Sequence, residues 1–360
     1  MSGGVDSLVA AYILKEQGYH VSGITMKIWP GEENPKASIK NGCYGPGETH
    51  DIKEAQNACS RMAIPHYVID LTGEYASSVM ENFFSEYTRG QTPNPCILCN
   101  PLVKFGALLD KTQSMGIQFD RFATGHYVRS SFNESSLRYD LKKGIDPKKD
   151  QSYFLYRLTQ PQLMKSIFPL GDYKKEDVIK LAREAGFDEI ADKPESQDFF
   201  DDGDYRDLFD ASKMQKGYIL DMHGNILGQH NGIINFTIGQ RKGLNIGGSD
   251  QPLYVLEKDA LSNNIVIGPK NYLAVDWLIA FNVNWIAFKK LKGLLTVNAR
   301  LRAHHQEIPC VINSLDDGSV EVKFDTPQFS ATPGQSVVFY EDDIVLGGGI
   351  IKNIHTISKE

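Results

Sequence analysis

The chain opens on a short glycine-rich loop that leads directly into a helix-patterned segment, residues 8–19. The loop consists of Ser2, Gly3, Gly4, Val5, Asp6 and Ser7. Glycine has no Cβ, so the backbone can approach a phosphate closely, and the N–H groups of the first helical turn point toward it. The loop contains no lysine of the Walker A type. It therefore predicts a phosphate site at a helix N-terminus, distinct from a P-loop.

Strand-like and helix-like segments alternate up to about residue 195. Strand-like composition is found in residues 21–28, 66–71 and 119–128. Helical periodicity is found in residues 51–62, 75–87 and 103–115. This alternation predicts an α/β fold with a doubly wound, mostly parallel sheet, and such a sheet binds ligands at the carboxyl ends of its strands. The glycine-rich loop is expected at such an end.

The rest of the chain follows a different pattern. Short segments with glycine-rich turns extend from about residue 202 to residue 268, and β-like runs follow residue 272. We therefore expect three domains: a catalytic α/β domain in residues 1–200, a small mixed domain in residues 201–270 and a C-terminal β-barrel in residues 271–360.

Composition limits the class of protein. The 360 residues are 41% hydrophobic and 23% charged, as in an ordinary globular protein. No run approaches the ~18 apolar residues of a membrane span and no signal peptide precedes the loop, so a cytoplasmic protein without membrane contact is expected. The net charge of -7 does not indicate nucleic-acid binding, although a local basic face would be compatible with it. Five cysteines in such a chain do not predict a disulfide framework.

A second informative segment spans residues 92–100, where two prolines precede Cys96 and Cys99. The prolines restrict the backbone and place the Cys-x-x-Cys pair near the start of a helix. The helix dipole and Lys104 would lower the pKa of a thiol there and favour the thiolate. A pair of packing cysteines is the alternative. A zinc half-site would need a second Cys-x-x-Cys, which the sequence lacks.

Seven co-linear segments together resemble the bacterial tRNA-uridine 2-sulfurtransferases, which belong to the PP-loop ATP pyrophosphatases. The segments are residues 2–7, 26–27, 92–100 with 104–106, 123–127, 149–156, 195–198 and 237–243. The resemblance implies an adenine nucleotide α-hydrolase-like domain. In that family a hydrophobic strand leads into the loop, whereas here only Met1 precedes it. The first central strand of the sheet is therefore expected to be missing.

The resemblance implies ATP-dependent 2-thiolation of the wobble uridine of tRNA. The uridine 2-oxygen would attack the α-phosphate of ATP, pyrophosphate would leave, and a sulfur nucleophile would then displace AMP. ATP and Mg²⁺ would be bound by the six loop residues, with Met26 and Gly125 bordering the nucleotide. The implied partners are tRNAs for Lys, Glu and Gln and a sulfur-carrier protein or cysteine desulfurase.

The same resemblance implies that the small middle domain, residues 201–270, binds tRNA and that further tRNA contacts come from other parts of the chain. The residues concerned are Asn94, Pro95, Cys96, Lys149, Asp150, Gln151, Arg302 and His304. Asn94, Pro95 and Cys96 would lie beside the target base, which must be flipped out of its stack. Cys99 occupies the nucleophile position of the family and forms the predicted catalytic pair with Cys96.

The sulfur step departs from the family pattern. The second catalytic cysteine of the family should lie a few residues beyond residues 195–198, but none is present there, and Cys96 stands where most relatives have Asp. Three alternatives remain. Cys96 resolves a persulfide on Cys99, or Cys43, Cys96 and Cys99 hold a 4Fe–4S cluster with one iron open for sulfur, or thiolation is lost.

Two other functions compete with thiolation. One is a different PP-loop adenylating ligase, such as an amidating ligase or argininosuccinate synthase. The cysteine segment and the predicted β-barrel argue against it. The other is a thiolation-deficient, tRNA-binding relative, which the absent second cysteine favours.

Overall fold

The computed structural model describes residues 1–31, 42–193, 199–200, 205–209, 214–247, 251–329 and 331–356. Within these ranges, no helix combines the length and the apolar character that crossing a bilayer requires. The residues form an α/β part, a small mixed middle part and a C-terminal barrel.

Helices are confined almost entirely to the α/β part. They are α1 Val5–Glu16, α2 Glu48–Arg61, α3 Thr72–Tyr75, α4 Glu81–Thr88, α5 Pro95–Leu98, α6 Leu108–Ser114, α7 Gln160–Lys165, α8 Lys175–Glu184 and α9 Asp188–Ala191. The π-helical segments Ala76–Met80 and Cys99–Ala107 join α3 to α4 and α5 to α6. Segments of this kind are often found at functional sites. The second one begins at the predicted nucleophile.

The strands of the α/β part form two parallel pairs and one antiparallel hairpin. They are β1 Gly23–Lys27, β2 His66–Asp70, β3 Phe122–Ala123, β4 Val128–Asn133, β5 Arg138–Lys143 and β6 Ser166–Ile167. The pairs β1–β2 and β3–β6 are parallel, which confirms the α/β fold class. Met1 lies beside β1, where its amino group donates to Ile24 O and its carbonyl accepts a hydrogen bond of 2.8 Å from Thr25 Oγ1.

The expectation of one buried strand over residues 119–128 is wrong. Only Phe122–Ala123 pairs in the parallel sheet, and β4 then starts a hairpin with β5. The reason lies at Gly125, which packs against the loop before α1, so that a Cβ there would lie 2.7 Å from the carbonyl carbon of Asp6. The chain leaves the sheet at this point to cover the start of α1.

The middle part is a small sheet joined to the cysteine-bearing helix. Its strands are β7 Gly217–Leu220, β8 Ile226–His230, β9 Tyr254–Asp259 and β10 Asn264–Gly268, in the order β8-β7-β10-β9. Short 3₁₀ turns accompany it at Tyr205–Leu208, Ile233–Asn235 and Lys270–Leu273. Ile219 and Ile265 of this sheet share one hydrophobic cluster with Cys99 and Val103.

The C-terminal part is a closed barrel, as predicted. Its strands are β11 Val275–Trp285, β12 Leu294–Arg300, β13 Ile308–Ser314, β14 Val320–Gln328, β15 Ser336–Glu341 and β16 Ile344–Thr356. They pair antiparallel in the order β11-β14-β13-β12-β15-β16, and β11 pairs with β16 to close the ring. The β4–β5 hairpin joins the same sheet at Ile344.

The cysteine-bearing helical run lies where the three parts meet. Cys99 and Val103 pack into the core of the middle part, whereas Ile97 and Phe105 pack into a cluster with barrel residues such as Tyr340. The barrel also holds the segment before the helix, because Gln335 Nε2 donates to Thr92 O at 2.7 Å. A helix fixed on both sides presents its cysteines in a defined position.

Candidate functional site

The predicted phosphate loop is a tight turn at the start of α1. Gly3 has φ of +73°, and a Cβ there would lie 2.8 Å from Asp51 O, so both the backbone angle and the space require glycine. Ser7 Oγ accepts a hydrogen bond of 3.0 Å from Ser2 N and donates one of 3.1 Å to Gly4 O. The turn therefore holds itself in place at the N-terminus of α1, where first-turn amides can bind an anion.

The two residues expected to border the nucleotide lie on different elements. Gly125 packs directly on the backbone of the loop, as described above. Met26 lies on β1 next to the carboxyl end of that strand and faces Ile69 of β2. The structure thus brings the loop and Gly125 into contact and places Met26 on the adjoining strand.

Two residues that the sequence did not single out hold Asp6. Its Oδ1 accepts hydrogen bonds of 2.7 Å from both Tyr127 OH and Lys175 Nζ. Tyr127 is only 1% exposed and Lys175 only 8%. Because Lys175 lies 169 positions away at the start of α8, no local pattern could reveal the pairing. Charge and geometry at the loop are therefore set by a buried cation from another helix.

The Cys-x-x-Cys pair is positioned by the start of α5. Asn94 is the N-cap, and its Oδ1 accepts from Cys96 N at 3.2 Å, while Pro95 is the first helical residue. Cys96 is half-buried and Cys99 is buried. The prolines thus act as predicted, and they direct both thiols toward the junction of the three parts.

Cys43 lies beside the segment in which the family's second cysteine was expected. Residues 195–198 are outside the described residues, but Phe199 and Phe200, which follow them, are described. Cys43 Sγ donates to Phe199 O at 3.6 Å, Tyr44 N donates to Phe199 O at 2.9 Å, and Tyr44 forms a parallel bridge with Phe200. A thiol from another part of the chain is therefore present in this position.

Electrostatics link the three thiols. Burial raises the pKa of Cys43 to about 12, with a contribution from Cys96. Burial raises the pKa of Cys96 to about 11, with a contribution from Cys99, and that of Cys99 to about 12, with a contribution from Cys43. The pKa of each thiol therefore depends in part on the charge of one of the other two. Cys43 as a residue is exposed, but its sulfur contacts Phe199 O.

The expected low pKa of the thiols is wrong. Lys104 does lower the pKa of all three cysteines, but loss of hydration outweighs it. With a pKa of about 11 for Cys96, roughly one molecule in ten thousand carries the thiolate at pH 7. Burial therefore keeps the three thiols mainly protonated at neutral pH.

A single zinc ion does not fit the three thiols as they are placed. Among the described residues, the three sulfurs do not form a group in which all lie within 4.8 Å of one another. Zn–S bonds of about 2.3 Å would hold two sulfurs at most ~4.6 Å apart. The described residues contain one group that meets the 4.8 Å limit, formed by His50, Asp51 and Glu54 on α2, and it adjoins the loop through the contact of Asp51 with Gly3.

Two of the predicted tRNA-contacting segments are joined by an ion pair. Arg300 donates to Asp150 Oδ2 at 2.6 Å, and Asp150 is only 5% exposed. Gln151 Oε1 accepts from Tyr127 N at 3.0 Å. The side chains of Asp150 and Gln151 therefore both form hydrogen bonds within the protein. The pair places the segment that carries Lys149 beside the barrel loop that follows Arg300.

The remaining predicted tRNA-contacting residues lie in that barrel loop. Arg302 is half-buried and His304 is exposed. Burial lowers the pKa of His305, and the nearby charge of Arg302 lowers it further. The loop thus offers positive charge at the surface, next to the residue 149–151 segment.

The comparisons with known proteins cover almost the whole chain. Residues 1–200 match the family model described as the tRNA methyl transferase HUP domain, residues 208–269 its PRC-barrel domain, and residues 275–351 the aminomethyltransferase β-barrel domain. The tRNA-specific 2-thiouridylase of Endomicrobium trichonymphae is 47% identical over 353 residues, which cover 98% of this chain and 97% of that protein.

Two further relatives show the same extent of similarity. The tRNA-specific 2-thiouridylase of Acetivibrio thermocellus is 45% identical over 98% of both chains. A second protein of this name, from Thermoanaerobacter sp. (strain X514), is 45% identical over 98% of this chain and 96% of its own. Identity of this size over the full length shows the family. The chain belongs to the tRNA-specific 2-thiouridylase family.

Proposed function

We propose that this protein is an ATP-dependent tRNA thiolase that replaces the 2-oxygen of a wobble uridine with sulfur. The observation that supports this most strongly is the convergence of Cys43, Cys96 and Cys99 at the junction where the phosphate-binding α/β part meets the other two. The family model's description mentions methyl transfer, but a methyl transferase needs neither a pyrophosphate-releasing loop nor three neighbouring thiols. The relatives are named 2-thiouridylases, which agrees with the sulfur chemistry that three neighbouring thiols allow.

The first half of the reaction uses the loop. The first-turn amides of α1 and the hydroxyls of Ser2 and Ser7 would bind ATP phosphates, and Asp6 would face the accompanying Mg²⁺ with the oxygen that Lys175 does not hold. The uridine 2-oxygen attacks the α-phosphorus, the bond to the bridging oxygen breaks, and pyrophosphate leaves. Lys175 keeps the carboxylate oriented while charge moves between the phosphates.

The second half uses the cysteines. In the persulfide scheme, the terminal sulfur on Cys99 attacks C2 of the adenylated uridine, and AMP leaves with the oxygen. A second thiolate, from Cys96 or Cys43, then attacks Cys99 Sγ, so that the S–S bond to the base breaks and the 2-thio base is released. The resulting disulfide must be reduced by a dithiol donor, and a sulfur-carrier protein or cysteine desulfurase must reload Cys99.

A 4Fe–4S cluster is the alternative, and it would use the three cysteines as its ligands. Three cysteine ligands from Cys43, Cys96 and Cys99 would leave one iron open to bind the sulfur to be transferred. The donor set is soft, and the raised pKa values mean that a positively charged group must be present for the thiols to ionise. Lys104 supplies one such charge, and a cluster would supply the rest.

The remaining roles concern tRNA. Asn94, Pro95 and Cys96 would lie beside the flipped base, and the surface formed by Lys149, Arg302 and His304 would contact the tRNA backbone. Asp150 and Gln151 would hold this surface in shape through their internal hydrogen bonds. The tRNAs expected are those for Lys, Glu and Gln, acting in the cytoplasm.

The function is tested by mass spectrometry of tRNA nucleosides from a strain that lacks the gene. We expect 2-thiouridine derivatives to disappear and to return when the gene is restored. Purified protein should release pyrophosphate and AMP only when an unmodified tRNA is present. Normal 2-thiouridine in the deletion strain would overturn the proposal, and tRNA-independent adenylation of a small molecule would favour a PP-loop ligase.

The two sulfur schemes are separated by metal analysis. After anaerobic purification, the cluster scheme predicts about four iron atoms and about four acid-labile sulfides per chain, and the loss of most iron from a Cys43→Ala variant. Cys59→Ala is the matched control, because Cys59 is a buried packing residue of α2. If the Cys43→Ala protein kept its full iron content, Cys43 would not be a ligand of the cluster. Wild-type protein that contains no iron would argue against the cluster and support the persulfide scheme.

A further inference from the structure

Tyr75 is a buried side chain beside the cysteine site, and the proposed reaction gives it no role. It is the last residue of α3 and is only 1% exposed. α3 packs against the π-helical segment that begins at Cys99, and Tyr75 belongs to the same hydrophobic cluster as Cys99 and Val103. The side chain therefore lies in the packing between α3 and the cysteine-bearing helical run.

The ring of Tyr75 is held by stacking on the loop that carries Cys43. The ring centroids of Tyr75 and Tyr44 are 5.1 Å apart, with 22° between the two planes, and Tyr44 makes an edge contact of 4.9 Å with Trp29. Tyr44 directly follows Cys43 in the chain. Because stacked aromatic rings prefer defined geometries, Tyr75 is kept in one orientation between the Cys43 loop and the helical run of Cys99.

The hydroxyl group of Tyr75 has no hydrogen-bond partner among the residues that the structure describes. Two similarly buried tyrosines do have one, since Tyr153 OH donates to Ser336 O at 2.9 Å and Tyr156 OH pairs with Ser336 Oγ at 3.1 Å. A buried hydroxyl normally has a partner, because burial without one removes its hydration and puts nothing in its place. The phenol of Tyr75 is therefore available to a group that enters the site.

The three thiols lie within electrostatic reach of this hydroxyl. Burial raises the pKa of Tyr75 well above its usual value, and the charges of Cys43, Cys99 and Cys96 raise it further. The phenol therefore stays protonated at neutral pH and can donate a hydrogen bond. Hydrogen bonds to an anion are shorter and stronger than those between neutral groups. An anionic sulfur at the junction is the acceptor that suits this donor.

We propose that the Tyr75 hydroxyl donates a hydrogen bond to the sulfur that is transferred to tRNA and fixes its direction of attack. The proposal rests on the proposed function and assigns a further residue to its sulfur step. In both sulfur schemes the transferable sulfur carries negative charge before it attacks C2 of the adenylated uridine. In the persulfide scheme it lies one S–S bond, about 2 Å, beyond Cys99 Sγ. The proton of Tyr75 stays on the phenol oxygen, so no covalent bond to this residue forms or breaks.

The test is a Tyr75→Phe variant, which keeps the stacked ring and removes only the hydroxyl. We expect the single-turnover rate of 2-thiouridine formation to fall about 10- to 100-fold, as for the loss of one hydrogen bond to a charged group. Pyrophosphate release in the first turnover should stay within about twofold of the wild type, so adenylated tRNA should accumulate. The reaction contains ATP, an unmodified tRNA transcript, cysteine and a cysteine desulfurase, and nucleoside mass spectrometry identifies the products.

Sulfur loading is measured separately, because a variant that takes up no sulfur would also fail to thiolate tRNA. After anaerobic incubation with excess cysteine and the desulfurase, native mass spectrometry should show the same increase in mass for the wild type and for Tyr75→Phe. A smaller increase in the variant would overturn the proposal, since the hydroxyl would then act in loading and not in transfer.

Tyr87→Phe is the matched control. Tyr87 is 5% exposed, belongs to the same hydrophobic cluster and stacks on Tyr205 with centroids 4.7 Å apart. Burial and Tyr205 raise the pKa of Tyr87, and no cysteine contributes. This variant should leave both steps within about twofold of the wild type. An unchanged thiolation rate in Tyr75→Phe, or equal slowing of adenylation and thiolation, would contradict the proposal. A wild-type protein that forms no 2-thiouridine would instead refute the proposed function.

Discussion

Replacing Cys99 with alanine is expected to abolish thiolation, with the rate of 2-thiouridine formation falling by at least about 10³-fold. Cys99 begins the π-helical segment, is buried at the junction of the three parts, and lies within electrostatic reach of Cys43 and Lys104. Both sulfur schemes require its thiolate, either as the persulfide carrier or as a cluster ligand. Nucleoside mass spectrometry of tRNA incubated with ATP and a sulfur source measures the loss.

The same variant should still adenylate tRNA. Because the loop at Ser2 and Gly3 is held by its own hydrogen bonds, tRNA-dependent pyrophosphate release in the first turnover should stay within about twofold of the wild type. Cys310→Ala is the matched control, since Cys310 is a buried residue of β13 in the barrel core. It should keep thiolation. Residual thiolation by Cys99→Ala at the wild-type rate would refute the assigned role.

Local features of the fold and site were predictable from the sequence. The loop before α1 and the Cys-x-x-Cys helix each depend on a few adjacent residues whose backbone preferences are strong, namely glycines in the first and prolines in the second. The barrel was predictable because period-two patterns and turns recur regularly. In these regions, neighbouring residues decide the structure.

Contacts between distant residues were not predictable. Cys43 lies beside Phe199 because the loop that follows β1 pairs with a segment 156 positions later, and Lys175 reaches Asp6 from α8. Spacing in the chain carries no signal for either contact. The same limit explains the wrong strand over residues 119–128, because the break at Gly125 is caused by packing against the loop before α1.

The thiol pKa values show how burial can reverse a local prediction. The helix start and Lys104 both favour the thiolate, and the sequence shows both. The depth at which Cys96 and Cys99 lie depends on the middle part and the barrel closing over the helix, and the desolvation that results is the larger effect.

Replacing Lys175 with methionine is expected to lower kcat/KM for adenylation about 10²-fold. The variant removes the cation that holds Asp6 Oδ1 at 2.7 Å, so the carboxylate loses its orientation toward Mg²⁺ and repels the ATP phosphates. Tyr127 keeps only a neutral hydrogen bond to the same oxygen. Since the Asp6 side chain is 36% exposed, water can solvate it, and we expect unfolding to become easier by only about 1–2 kcal/mol.

A stability effect and a catalytic effect can be separated with two further variants. Lys180→Met is the matched control, because Lys180 lies on the same helix with a side chain that is 76% exposed and an ion pair of 3.7 Å to Glu184. It should leave adenylation unchanged. Lys175→Arg keeps the charge and should recover much of the activity that Lys175→Met loses. Initial rates of tRNA-dependent pyrophosphate release measure all three, and an unchanged rate in Lys175→Met would mean that Asp6 needs no buried cation for its role.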